Sequence, residues 1–166
     1  MHPEKIKIYN GKIILPDKII EGGCVLITGE TITEVSEKNI EEGNAIEINA
    51  EGKYVAPGFI DIHVHGGGGY DFMDATEIAF LKIAEMHAQY GTTAMLPTTL
   101  TSTKKLLLQT LDAFENANKK NIHGAQLLGM HLEGPYISIN QTGAQDPRFI
   151  REPNPDEYKE ILSNYS

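Results

Sequence analysis

Residues 57–69 read PGFIDIHVHGGGG, and this stretch decides the fold. From Ile60 to His65 apolar and polar side chains alternate, which is typical of a β-strand. His63 and His65 therefore share one face with Asp61, while the opposite face is apolar and suited to packing on helices. The glycines that follow predict either a sharp turn or a close approach of the backbone to a ligand. Two imidazoles at the C-terminal end of a strand, where α/β folds place their active sites, indicate a site for a zinc-like or iron-like divalent ion.

Downstream of this strand, helical and strand patterns alternate. The predicted segments are a helix with Asp74 as N-cap that ends at Gly91, a strand over residues 92–97, a helix over residues 103–118, a strand over residues 126–132 and a helix capped by Asn154. Strands that alternate with helices run parallel with right-handed crossovers, so the order predicts a doubly wound open sheet or the beginning of a (β/α)8 barrel. Three βα units are too few to close a barrel, which takes about 250 residues.

Upstream, residues 1–56 predict short strands separated by turns. Asn10 and Gly11 lie between two alternating segments and predict a hairpin turn. The Gly22-Gly23 pair predicts a break before a further strand. Several short strands at this spacing favour a small β-sandwich or β-meander, so the chain divides into a β-rich module and an α/β segment that begins at residue 57.

A second group of metal-capable side chains ends the third predicted strand of the α/β segment. His131 and Glu133 share a face of that strand, and Gly134-Pro135 then redirects the chain. A carboxylate at a strand end can bind or bridge metal ions, although a solvated glutamate is the commoner case. His131 is better suited to a core or supporting role.

Composition restricts the partners of the protein. The formal net charge of −9 argues against nucleic acid or an anionic membrane as the main partner. The sequence contains no apolar run of about 18 residues, so no segment is expected to span a membrane. A single cysteine, Cys24, excludes an intrachain disulfide and fits a reducing compartment. We expect a cytoplasmic location.

Three motifs, in this order, resemble the amidohydrolase superfamily and, more narrowly, its N-acetylglucosamine-6-phosphate deacetylase family. They are PGFIDIHVHGGGGYDFMD at residues 57–74, GTTAMLPT at residues 91–98 and GMHLEGP at residues 129–135. The resemblance covers essentially the whole chain. It implies the N-terminal part of a metal-dependent (β/α)8 TIM barrel, with a small β-sandwich module over residues 1–56 and the first three βα units over residues 57–166.

The resemblance also implies a set of site residues. Glu133 would be the metal ligand shared across the family, and His63 and His65 the first ligand pair, for one or two divalent ions, zinc or iron. Gly143, Ala144 and Gln145 match the substrate-side loop and would contact the substrate, although many relatives have histidine where Gln145 stands.

The implied reaction is hydrolysis of the acetamide of N-acetyl-D-glucosamine 6-phosphate to D-glucosamine 6-phosphate and acetate, a step of amino sugar catabolism. The partner would be a phosphorylated amino sugar, and the full-length form is expected to be a homodimer. Two further histidine ligands and the catalytic aspartate are expected beyond Ser166, so we expect the isolated chain to be an inactive portion. Two alternatives stay open. The first is a cyclic amidase of the dihydroorotase or hydantoinase type, although the sequence of residues 66–74 argues against it. The second is a fragment without catalytic activity.

Overall fold

The computed structural model describes residues 4–165 and divides the chain into two compact units, Met1–Pro57 and Gly58–Ser166. The strands are β1 (Lys5–Ile14), β2 (Ile19–Thr28), β3 (Thr31–Ser36), β4 (Ile46–Asn49), β5 (Tyr54–Val55), β6 (Phe59–Val64), β7 (Gly66–Gly67), β8 (Tyr70–Asp71), β9 (Thr92–Pro97) and β10 (Gln126–Leu127). The α-helices are α1 (Glu77–Gln89), α2 (Lys104–Lys120) and α3 (Pro155–Asn164), and short 3-10 turns cover Phe72–Asp74, Ile139–Gln141 and Pro147–Phe149. Within residues 4–165, every helix is too short or too polar to cross a bilayer.

The first unit is built on one five-stranded sheet. Its strand order is β3-β2-β1-β4, with β5 also paired to β1. The β1–β2 and β2–β3 pairs are antiparallel, whereas β4 and β5 run parallel to β1. Both faces of β2 are covered, since Val25 packs with Ile13 and Ile20 while Cys24 and Leu26 pack with Ile40 on the other side. This two-sided burial accounts for the uninterrupted apolar run over residues 24–27 of β2.

The predicted hairpin at Asn10-Gly11 is wrong, and so is the predicted break at Gly22. β1 runs straight through Asn10, and β2 runs through Gly22. Both residues have a positive φ, 56° at Asn10 and 64° at Gly22, and the β1–β2 register shifts once near each of them. Each left-handed residue therefore accommodates a β-bulge, and the two shifts compensate, so the strands stay paired beyond them.

The second unit is an α/β structure around a three-stranded parallel sheet of order β10-β9-β6. The predicted strand over residues 92–97 and the helix after Asn154 are confirmed. Asp74 is not the N-cap of α1. Ala75 adopts φ 52°, which interrupts the helical path, and Thr76 caps α1 by accepting a hydrogen bond from the Ala79 amide.

The third strand of this unit is shorter than the sequence predicts. β10 covers two residues, and the ladder resumes as an isolated bridge between Thr98 and His131. Gly129, at φ 156°, lies between the two parts and interrupts the pairing. The His131 amide still donates to the Pro97 carbonyl at 2.9 Å, so the chain stays registered beside β9 up to the loop that carries Glu133.

The core of the second unit lies between the sheet and the helices α1 and α2. Phe72, Phe80, Ile83 and Met95 are fully buried there. Burial of such a side chain stabilises a fold by about 1.5–3 kcal/mol, so this cluster fixes α1 against β9. A separate cluster of Leu107, Leu111 and Ile161 joins α2 to α3.

The long loop before α3 is held by a charged cluster. The Arg151 guanidinium pairs with both carboxylate oxygens of Glu157 and donates from Nη1 to the Ser102 carbonyl at 3.1 Å. The Tyr136 hydroxyl donates to Glu157 Oε2 at 2.7 Å. The Arg151 guanidinium keeps the pKa of Glu157 below its usual range. Burial, and then the bond to the Glu157 carboxylate, raises the pKa of Tyr136 to about 12.

Candidate metal centre

His63 and His65 lie at the C-terminal end of β6 and are held there by β9. The Val64 carbonyl accepts from the Thr98 amide at 2.8 Å, and the Val64 amide donates to Thr98 Oγ1 at 3.1 Å. Because residues two apart on a strand face the same way, the two imidazoles point together. Their Nε2 atoms are 3.1 Å apart.

Glu133 reaches this histidine pair from the segment that follows β10. The bridge between Thr98 and His131 places that segment beside the end of β9. The Oε2 atom of Glu133 is 3.1 Å from the Nε2 atom of His63 and 3.1 Å from that of His65. The three side chains predicted as metal ligands thus converge, with ligand atoms within 4.8 Å of one another.

The donor set and its spacing fit a divalent transition metal. Metal–nitrogen and metal–oxygen bonds of about 2.0–2.1 Å in a tetrahedral site give ligand–ligand edges of about 3.3 Å. The three observed edges between His63, His65 and Glu133 are each 3.1 Å. One carboxylate and two imidazoles suit zinc or iron better than calcium or magnesium, which prefer oxygen ligands. The side chains are between one third and one half exposed, which leaves access for an ion from solvent.

The other carboxylate oxygen of Glu133 is held by Gln145. Gln145 Nε2 donates to Glu133 Oε1 at 2.9 Å, and Gln145 Oε1 accepts from the Thr101 amide at 2.7 Å. Thr101 Oγ1 also donates to the Glu133 carbonyl at 3.4 Å. None of these three contacts was predicted, because Thr101 and Gln145 lie in loops without a periodic pattern.

Asp61 and His131 take supporting places around the cluster. Asp61 shares the histidine face, but its Oδ1 accepts from the backbone amide of His63 at 3.1 Å, and it does not join the ligand group. The His131 ring stands edge-on to that of His63, with centroids 4.8 Å apart. The Nδ1 atoms of His65 and His131 are buried and lack a hydrogen-bond partner among residues 4–165. The described part of the chain therefore does not supply the acceptor that usually orients a metal-ligating imidazole.

The glycine run after His65 forms a tight hairpin of β7 and β8. Gly68 and Gly69 make its turn with φ values of 62° and 87°. A side chain at Gly66 would place its Cβ 2.3 Å from the Tyr70 carbonyl oxygen, so the close pairing requires glycine there. His87 Nε2 lies 3.1 Å from the Gly66 carbonyl oxygen and links the hairpin to α1.

The predicted substrate-side residues, Gly143, Ala144 and Gln145, lie in one turn but differ in exposure to solvent. Gly143 and Ala144 are exposed, and Gly143 adopts φ 58°. The Gln145 amide closes the turn onto the Thr142 carbonyl at 3.0 Å, while the Gln145 side chain is buried, at 6% exposure. The turn thus presents the first two residues outward and directs the third towards Glu133.

Residues 54–165 match the model of the Amidohydrolase family. The N-acetylglucosamine-6-phosphate deacetylase of Bacillus subtilis (strain 168) is 35% identical over 160 residues, which are 94% of this chain and 40% of the relative. The deacetylase of the same name from Homo sapiens is 30% identical over 161 residues, 95% of this chain and 38% of the relative. The chain thus spans about 40% of the length of these curated relatives.

This chain also superposes on solved structures of proteins with the same name. The N-acetylglucosamine-6-phosphate deacetylase of Pasteurella multocida superposes with a TM-score of 0.85 at 25% identity, over 96% of this chain and 42% of that one. The Thermotoga maritima protein of that name superposes with a TM-score of 0.71 at 30% identity, over 97% of this chain and 39% of that one.

Proposed function

This chain belongs to the amidohydrolase family, and we propose that His63, His65 and Glu133 hold a divalent metal ion in it. The observation that carries the proposal is the convergence of the two Nε2 atoms and one carboxylate oxygen at mutual distances of 3.1 Å. Zinc and iron suit this donor set best, and further ligands could admit one ion or two.

The reaction that we propose for the whole protein is hydrolysis of the acetamide of N-acetyl-D-glucosamine 6-phosphate to D-glucosamine 6-phosphate and acetate. The names of the relatives and their identity to nearly the whole of this chain support it. A divalent ion in such a site polarises the amide carbonyl and makes water more acidic. His63 and His65 contribute neutral donors, and Glu133 contributes the negative charge that favours a cation at this strand edge.

The substrate is proposed to lie over the exposed turn of Gly143 and Ala144, on the loop that follows Glu133. A backbone turn without bulky side chains allows a sugar to approach closely. The N-acetylgalactosamine-6-phosphate deacetylase of Escherichia coli O157:H7 is 36% identical over 102 residues, so the galacto epimer is the second substrate to test.

The architecture of the whole protein is proposed to be a (β/α)8 barrel with a small β-sandwich beside it. The units β6-α1, β9-α2 and β10-α3 would be the first three of the barrel, because they form one parallel sheet in chain order. Their C-terminal strand ends carry the histidine pair and Glu133, and this is the barrel face at which active sites lie.

Metal content and affinity test the ligand assignment. We expect His63→Ala and Glu133→Gln to lose zinc in elemental analysis and calorimetry, while the exposed-site controls His123→Ala and Glu152→Gln keep it. Full occupancy in both ligand variants would remove the assignment.

Turnover tests the reaction separately. We expect the product of the complete reading frame to release acetate from N-acetyl-D-glucosamine 6-phosphate and to leave a cyclic ureide intact. Cleavage of the cyclic ureide instead would favour the cyclic amidase alternative.

A further inference from the structure

Gln145 is a buried polar residue, at 6% exposure, whose side chain contacts one of the proposed metal ligands. The chemistry of its partners fixes the orientation of its amide. The Thr101 backbone amide can only donate, so it must face Gln145 Oε1. The Gln145 NH2 group then faces the Glu133 carboxylate, which can only accept while it is ionised.

The two carboxylate oxygens of Glu133 therefore have different partners. Oε1 is engaged by Gln145 at 2.9 Å, and Oε2 lies 3.1 Å from both histidine Nε2 atoms. With Oε1 engaged by Gln145, Oε2 is the carboxylate oxygen that faces the two imidazoles.

Thr101 anchors this arrangement at two points. Its backbone amide holds Gln145, and its hydroxyl donates to the Glu133 carbonyl. The next residue, Gly134, makes the approach possible: at φ 85°, a Cβ on it would lie 2.0 Å from Thr101 Oγ1. Glu133 is therefore restrained through both its main chain and its side chain.

We propose that Gln145 is a positioning residue for the metal site, which holds Glu133 as a one-oxygen ligand through Oε2, and that it does not contact the sugar. The inference rests on the proposed metal-binding function of His63, His65 and Glu133. Because Gln145 is only 6% exposed, turning its amide outward to reach a sugar would break the hydrogen bonds to Thr101 and Glu133, and the buried Thr101 amide would lose its partner.

Metal affinity of near-isosteric variants tests the proposal. Gln145→Met keeps the length of the side chain and removes both hydrogen bonds, and we expect it to weaken zinc affinity by roughly 10–100-fold, the usual effect of losing a group that orients a metal ligand. The absorption spectrum of the cobalt-substituted protein should change with it. Gln141→Met, on the exposed 3-10 turn nearby, is the matched control and should behave like the wild type.

The outcomes separate the two proposals. Wild-type affinity and an unchanged cobalt spectrum in Gln145→Met, alongside loss of metal in Glu133→Gln, would overturn the positioning role and leave the metal site intact. A raised KM for the sugar phosphate with unchanged metal affinity would also overturn it, in favour of a substrate contact. Absence of metal from the wild type would overturn both.

A second measurement uses the wild-type chain, so it does not depend on the folding of a variant. With glutamine side chains labelled with 15N, we expect the Gln145 NH2 protons to exchange with solvent much more slowly than those of Gln141, and to stay protected when zinc is added. Equal exchange at the two positions in the zinc-loaded protein would overturn the proposal.

Discussion

At the scale of single residues, Glu157 is a buried carboxylate outside the metal cluster with two charged or polar partners. Its side chain is 7% exposed and accepts hydrogen bonds from Arg151 and Tyr136. Because Arg151 also holds the Ser102 carbonyl, the carboxylate connects α3 to the loop that carries Gln145 and to the segment before α2.

We expect Glu157→Gln to lower the free energy of unfolding by about 2 kcal/mol, since hydrogen bonds to charged groups contribute ~1.5–3 kcal/mol. The folded-state pKa of Glu157 is lowered, so its contribution is present above the unfolded value of about 4.3 and is lost as the pH falls through the lower folded value. Urea unfolding between neutral pH and pH ~3 should show a shallower pH dependence in the variant. Glu152→Gln, at an exposed position, should change neither quantity.

The metal cluster shows what single residues reveal in the sequence. His63 and His65 could be predicted to act together, because strand periodicity alone places them on one face. Glu133 could be added because parallel strands end at a common edge. The Gln145 contact could not be predicted, since it depends on a turn closed by Thr142 and on the approach of Thr101, and neither leaves a periodic signal.

At the scale of elements, glycine and asparagine were the least informative residues. Asn10-Gly11 and Gly22-Gly23 have the composition of turns, but the positive φ values of Asn10 and Gly22 accommodate bulges inside β1 and β2. The local sequence indicates a residue in the left-handed conformation. Pairing with the neighbouring strand determines whether the chain turns back there or continues through a β-bulge. Thr103 and Asn154 mark the beginnings of α2 and α3 directly. The start of α1 was harder, because the predicted cap Asp74 precedes the true cap, Thr76.

The bulge in β2 gives a test with an internal control. A Cβ at Gly22 would meet no atom within 4 Å, but φ is 64°, so Gly22→Ala should cost roughly 1–2 kcal/mol through backbone strain alone. Gly43 also has open space and lacks a positive φ, so Gly43→Ala should be close to neutral. Chemical denaturation of both variants measures the difference, and equal stabilities would contradict the assignment of strain to the bulge.

At the scale of the whole molecule, the sheet of the second unit has an apolar edge. β6 is an outer strand of the order β10-β9-β6, and the side chains of Ile60 and Ile62 are each 65% exposed. An edge strand with exposed apolar side chains favours pairing with another chain.

We therefore expect the 166-residue chain to self-associate through β6. The double variant Ile60→Thr with Ile62→Thr should reduce the association measured by analytical ultracentrifugation, because threonine keeps the strand propensity and removes apolar surface. Ile122→Thr, at a residue that is 80% exposed outside the sheet, is the control and should leave association unchanged. A wild-type chain that sediments as a monomer would contradict this prediction.

Metal binding should also raise the stability of the chain as a whole. A ligand that binds only the folded state at 100 times its Kd adds about 2.7 kcal/mol. We expect zinc to raise the thermal midpoint of the wild type in a concentration-dependent way and to leave that of Glu133→Gln unchanged. Equal shifts in the two proteins would place the stabilising ion elsewhere.

The distance along the chain between the ligands has a further consequence. His63 and Glu133 are 70 positions apart, and α1, β9, α2 and β10 lie between them. An ion shared by the two would act as a reversible cross-link, and closing a loop of this length with a covalent bond is worth about 4 kcal/mol of chain entropy. Chelation would remove that cross-link, and we expect the enclosed segment to become more accessible to proteases. The rate of proteolysis would then report whether the ion is bound.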